Sequence, residues 1–110
     1  MDTLSRREEQ VLLAVWEIQD NAYLLAIKKY LSEVTSKDWS VGIIHKPLLQ
    51  LEKEGFITSS IGEATAKRGG RRKKLYKVTS LGIDELKKLK SEQDIIWKKF
   101  LSREILEEAE

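Results

Sequence analysis

The sequence has no cysteine, a single proline, a single histidine and a single methionine, and aromatic residues make up only 7% of it. Without cysteine there is no disulfide and no thiol chemistry, and one histidine leaves too few soft ligands for a zinc site. No run approaches the ~20 consecutive apolar residues that span a bilayer, and the N-terminus carries no apolar signal stretch. These absences give the expectation of a cytoplasmic protein with no metal and no cofactor. Nucleophile motifs are also lacking. Gly69-Gly70-Arg71-Arg72 does not end in the Gly-Lys-Ser/Thr of a phosphate-binding loop, and nothing accompanies His45 that would make it a catalytic base. An enzyme is therefore remote.

Charge is abundant, at 35% of 110 residues, against about 25% in an average domain, and a 41% apolar share still suffices for one core. The net charge is only +2, so its distribution carries the information. Between Lys67 and Lys77 stand Lys67, Arg68, Arg71, Arg72, Lys73, Lys74 and Lys77 with no acid, while Glu104, Glu107, Glu108 and Glu110 crowd the C-terminal end. A basic cluster on a nearly neutral chain implies a focused anion site.

Hydrophobic spacing predicts the elements. Ser5 and Glu8 have capping-box spacing ahead of a helix from about Arg6 to Gln19, with Val11, Leu12, Val15 and Ile18 as its apolar stripe. Asp20-Asn21 breaks that pattern and offers the cap of a second helix, about Ala22 to Val34, with Leu24, Ile27, Leu31 and Val34 inward. After a Thr35–Asp38 loop, Ser40 caps a third helix that ends at Glu54 and buries Ile44, Leu48 and Leu51. Gly55 stops it. Phe56–Ile61 and Lys74–Thr79 are β-prone runs around a glycine-bearing loop, with Tyr76 and Val78 on one face. A last helix, capped by Thr79, runs from Ser80 to about Glu108. Trp16 and Trp39 are assigned to the core.

The fold class expected is mainly α with a small β-hairpin. It is a winged helix-turn-helix over residues 1–79, followed by a long C-terminal dimerisation helix over residues 80–110. Third helices of this arrangement enter the DNA major groove. With Ile44, Leu48 and Leu51 inward, the opposite face carries Gly42, Lys46, Leu49 and Lys53, with Gln50 beside them. Gly42 lets backbone approach a phosphate closely. Lys46 and Lys53 neutralise phosphates, and Gln50 suits a bidentate pair with adenine. Ser40 and His45 are polar neighbours on the same surface. An ordinary solvated helix shows such lysines equally well, so the wing decides. Lys67, Arg68, Arg71, Arg72, Lys73 and Lys74 on a hairpin tip suit a DNA backbone or narrow minor groove.

Leu86, Leu89, Ile96, Trp97, Phe100 and Leu101 form an apolar seam on the last helix, longer than a small domain covers. Uncovered seam of this kind implies a second copy. Pro47 removes one helical hydrogen bond and constrains Lys46. Either the third helix is kinked, or it starts late with Pro47 at its first position.

Leu51-Glu52-Lys53-Glu54-Gly55-Phe56-Ile57, the wing Gly69-Gly70-Arg71-Arg72-Lys73-Lys74-Leu75-Tyr76-Lys77-Val78-Thr79 with Gly82, Leu4-Ser5-Arg6-Arg7-Glu8 and Trp39 together resemble the PadR family of transcriptional regulators. The resemblance implies a homodimeric repressor that pairs through its C-terminal helix, often with a small-molecule inducer. It makes Trp97 the residue against which a flat aromatic effector would lie, although packing in the dimer core is the plainer role for it. Where family members often carry Thr-Leu-Tyr, this chain has Ile43-Ile44-His45, so the tyrosine's phosphate contact falls to His45 or is lost. The rival reading is a winged-helix protein-interaction module, which would have no salt-sensitive DNA affinity.

Overall fold

The computed structural model describes residues 4–62 and 73–109. Helix α1 spans Arg6–Ile18 and begins with both halves of the capping box. The Ser5 hydroxyl accepts from Glu8 N–H at 3.1 Å, and Glu8 Oε1 accepts from Ser5 N–H at 2.7 Å. Val11, Leu12, Ala14 and Val15 are buried. Trp16 departs from its expected place in the core, being 46% exposed. It follows Val15 but is turned toward the C-terminal helix, beyond the three-helix core.

The link to the second helix also departs from expectation. Asp20 and Asn21 do not cap it; they lie in a 3-10 turn, Gln19–Asn21. Helix α2 spans Leu24–Thr35, with Tyr23 at its cap position and no side-chain cap bond. The intervening Ala22 is fully buried, and its carbonyl accepts from Tyr76 N–H at 2.9 Å. The segment before α2 thus pairs with the hairpin, which delays the helix by two residues relative to Ala22. Ile27 and Leu31 are buried as expected, but Val34 is 62% exposed. It follows Leu31 by three residues, near the end of the helix, where no packed neighbour covers it.

A tryptophan fixes the turn that follows α2. Trp39 is buried. Its indole N–H donates to Thr35 Oγ1 at 2.9 Å, that hydroxyl donates to Leu31 O at 2.7 Å, and Trp39 N–H donates to Ser32 Oγ at 3.2 Å. Helix α3 then spans Val41–Lys53, with Ser40 Oγ accepting from Ile43 N–H at 3.2 Å. Pro47 lies inside this helix, so the alternative of a late start at Pro47 is overturned. Its ring joins Ile44, Leu48 and Leu51 on the buried side. Gly55 ends α3 with φ +82°, a conformation that costs glycine little.

Strands β1 (Ile57–Ile61) and β2 (Lys74–Val78) pair antiparallel, in a register from Ile57 opposite Val78 to Ile61 opposite Lys74. Tyr76 and Val78 face the core together. Helix α4 spans Ser80–Ala109. Thr79 caps it, accepting from Gly82 N–H at 3.0 Å while its hydroxyl donates to Gly55 O at 2.7 Å. One threonine therefore ties the start of α4 to the end of α3. Ile83 and Leu86 pack on the core, and Leu89 is buried. Gln93 Nε2 donates to both carboxylate oxygens of Glu9 on α1, at 3.1 and 3.0 Å. Beyond that contact α4 projects from the body.

Candidate nucleic-acid interface

The buried stripe of α3 leaves Gly42, His45, Lys46, Leu49 and Lys53 exposed on the other side, as the helical period requires. Added at Gly42, a Cβ would meet nothing within 4 Å, so this part of the face is open. Gln50 is half-buried, and its amide donates to Glu54 Oε1 at 2.8 Å. Reading a base with Gln50 requires exchanging that bond, at about 1 kcal/mol for an ordinary hydrogen bond near solvent. Ser40 sits at the N-terminal edge of the face, its hydroxyl serving the cap.

The wing lysines within the described residues are turned to the body of the protein. Lys73 Nζ lies 4.0 Å from the centroid of the Tyr23 ring. Lys74 Nζ lies 5.5 Å from the Tyr76 ring and 3.6 Å from Glu52 Oε1. Glu52 also accepts from the Ser59 hydroxyl at 2.5 Å. An ion pair this exposed contributes at most about 1 kcal/mol, so Lys74 is readily exchanged to a stronger anion. Lys67, Arg68, Arg71 and Arg72, with the Gly69-Gly70 tip, lie outside the described residues.

A groove of about 870 Å³ adjoins the α3 face. Its walls are the start of α1, Ser5 to Glu8, and the side of α3 that runs from its cap Ser40 to Gln50. This brings Arg6 and Arg7 to the same surface as Gly42 and Lys46. From sequence the two arginines start a helix and belong to the Leu4–Glu8 segment that resembles the PadR family, with no DNA contact assigned to them. The first turn also holds Glu8 and Glu9, so its charge pattern alone gave no sign of a ligand.

The expected dimer seam divides in two. Leu89 is 6% exposed within the single chain and needs no partner to be covered, while Leu86 is half-buried against the core. Ile96, Trp97, Phe100 and Leu101 are all at least half exposed, and Ile95, Ile105 and Leu106 add to them. Trp97 and Phe100 meet edge to face, with ring centroids 5.8 Å apart. A second groove, about 600 Å³, lies where α1 meets α4 and is lined by Leu13, Trp16, Ile83 and Leu86, with Lys87 and Lys90 at its rim. Among the described residues, no group of three or more histidine, cysteine or carboxylate side chains is placed to hold a metal ion, and no helix is long and apolar enough to cross a membrane.

The profile of the transcriptional regulator PadR-like family matches residues 12–88, which includes α3, the hairpin and the first turns of α4. The chain belongs to the PadR-like family. Three solved structures similar to this PadR-like chain show the same fold. A transcriptional regulator from Clostridium thermocellum has a TM-score of 0.70 at 22% identity, covering 91% of this chain and 97% of that one. A PadR-like transcriptional regulator from Bacillus cereus has a TM-score of 0.68 at 21% identity, covering 86% and 87%. A PadR family transcription regulator from Clostridium difficile is 27% identical, with a TM-score of 0.66 over 86% and 95%. No match was found among curated proteins. Members of the family are transcriptional regulators, not enzymes. The winged-helix architecture and its hairpin are those of this family.

Proposed function

We propose that this PadR-like protein is a sequence-specific DNA-binding repressor that acts as a homodimer. The observation that carries the reading is the α3 face, on which Gly42, His45, Lys46, Leu49 and Lys53 stand exposed while Ile44, Leu48 and Leu51 hold the helix to the core. Such a helix fits the major groove, with lysines on phosphates and Gln50 against a base edge. The wing follows the adjacent backbone. The distal half of α4 pairs two copies, so the operator is an inverted repeat with half-sites about one helical turn apart or a multiple of it. Residues 1–79 serve as the DNA-binding unit and residues 80–110 as the dimerisation helix, although the first turns of α4 also complete the core of the former.

Salt titration tests this reading. Replacing Arg71 and Arg72 with alanine is expected to weaken operator and random duplex alike. The slope of log affinity on log salt should fall by up to ~2 for each bound chain, hence up to ~4 for a dimer on both half-sites, at about 0.9 for each phosphate no longer neutralised. Gln50→Ala is expected to weaken the operator selected from a random pool, by about 1–3 kcal/mol, and to spare random DNA. Parental protein with no salt-sensitive DNA affinity would instead make the fold a protein-interaction module.

Release by a small aromatic effector is the finer part of the proposal. It is supported by Trp97, 59% exposed and flanked by Phe100 on the projecting helix. A second copy would close a slot around that indole. Planar aromatic compounds are then expected to quench Trp97 and to lower operator affinity together. A screen in which neither changes removes the effector and leaves the repressor.

A further inference from the structure

We propose that the first turn of α1 is a second phosphate-binding surface, in which Arg6 and Arg7 face Lys46 across the groove and clasp the backbone of one DNA strand. The inference rests on the DNA-binding reading and adds to it a contact outside α3 and the wing. Charge supports it first. The groove is lined by Arg6, Arg7 and Lys46, and the one carboxylate at its wall, Glu8, is turned to its own cap, accepting from Ser5 N–H at 2.7 Å. Among the described residues the ion pairs are Lys74 with Glu52, Lys90 with Asp94 and Arg103 with Glu107, and none uses these three cations.

Position supports it next. Gly42 and Lys46 belong both to the groove and to the exposed face of α3, so a strand beside that helix runs directly into the groove. Nothing stands within 4 Å of where a side chain at Gly42 would begin, which leaves the passage open. The choice of residue agrees. Arginine presents a planar fork that matches phosphate oxygens, and although Glu8 and Glu9 in the same turn answer the helix dipole, neither forms an ion pair with Arg6 or Arg7 among the described residues. A phosphate contact carries no sequence information directly, so this one sets affinity and leaves sequence preference to α3.

The test uses the full chain and two duplexes, the operator chosen by selection and one of random sequence. For each bound chain, Arg6→Gln with Arg7→Gln is expected to reduce the salt slope by up to ~2 on both duplexes and Lys46→Gln by ~1, so a bound dimer shows about twice these values. The base preference recovered by selection is expected to stay unchanged in the double variant. Its melting temperature should equal or exceed the parent's, because the Ser5–Glu8 box is kept and two cations leave the helix start. Should parental protein bind DNA with a slope that the double variant reproduces, this surface carries no phosphate and the proposal is overturned while the DNA-binding reading stands. If the parent binds neither duplex, both fall together. Oligoglutamate serves as the other probe. Its capture by the parent and loss in the double variant, with coincident DNA slopes, would assign the groove to an acidic peptide and equally overturn the proposal.

Discussion

Gly82→Ala is expected to destabilise the protein by about 3 kcal/mol or more, a large part of the ~5–15 kcal/mol available to a domain. Alanine is the better helix former by about 1 kcal/mol, and Gly82 is helical, so propensity alone predicts the opposite sign. Packing decides. A Cβ at this position would stand 2.3 Å from the Phe56 carbonyl oxygen and 2.8 Å from Val78 Cγ1. The oxygen is backbone and already accepts from Thr79 N–H at 3.0 Å, so it cannot swing aside as a flexible side-chain end would. Relief requires moving the first turn of α4 away from Phe56 and Val78, which breaks the Thr79 bonds to Gly55 and Gly82. At fixed protein concentration the melting temperature should drop by ~10 °C or more. Gly42→Ala is the control. It is also helical but has open space around it, and is expected to gain about 0.5–1 kcal/mol. If both variants melt alike, the close approach of α4 to Phe56 is not what Gly82 is there to allow.

That contact joins residues 56 and 82, and the same separation in sequence explains what could and could not be read beforehand. The Ser5–Glu8 box, the α3 stripe, the stop at Gly55 and the Thr79 cap are local patterns, decided within a turn or two of helix, and each was legible. So was the one-sided burial of Tyr76 and Val78, which follows from strand alternation. Asp20-Asn21 misled because a good cap was outcompeted by a tertiary bond, Ala22 O to Tyr76 N–H, that no local rule contains. Trp16 and Val34 misled because apolar periodicity says which face is inward but not how far the neighbouring element extends to cover it.

The site divides along the same line. The α3 face is legible from periodicity, because Ile44, Leu48 and Leu51 mark the inward side. Lys73 and Lys74 were legible as basic but not as occupied. Their partners Tyr23 and Glu52 lie on α2's cap and on α3, and only the folded chain brings them together. Arg6 and Arg7 needed the α1–α3 packing before they could share a groove with Lys46. Leu89 was read as seam because it continues the spacing to Ile96, whereas the body of the domain already buries it.

With Leu89 covered, the proposed dimer depends on the distal helix, and two substitutions there should remove it. Ile96→Asp with Phe100→Asp is expected to give a 12.7 kDa species by sedimentation at micromolar concentration. Ile96 is 68% and Phe100 54% exposed in the single chain, and within it Phe100 gives up its edge-to-face packing on Trp97. The fold of each chain should therefore persist, with unchanged helix content by circular dichroism. Across a two-fold axis each change acts twice. Four apolar side chains would leave the interface, each contributing about 1.5–3 kcal/mol when buried, and four carboxylates would enter it. The consequence for DNA is larger than for stability. In a dimer the second half-site binds as an intramolecular event, and this raises overall affinity by ~10²–10⁴ without any new contact. The monomeric variant should lose that factor on the inverted repeat while matching the parent's affinity per half-site on a single isolated one. Its salt slope should be about half the parent's, because half the phosphates are engaged. A variant that still sediments as a dimer would move the interface elsewhere, to the Leu13, Trp16, Ile83 and Leu86 groove between α1 and α4. A variant that is monomeric yet binds the inverted repeat as tightly as the parent would show that α4 pairs the chains without linking the two half-sites.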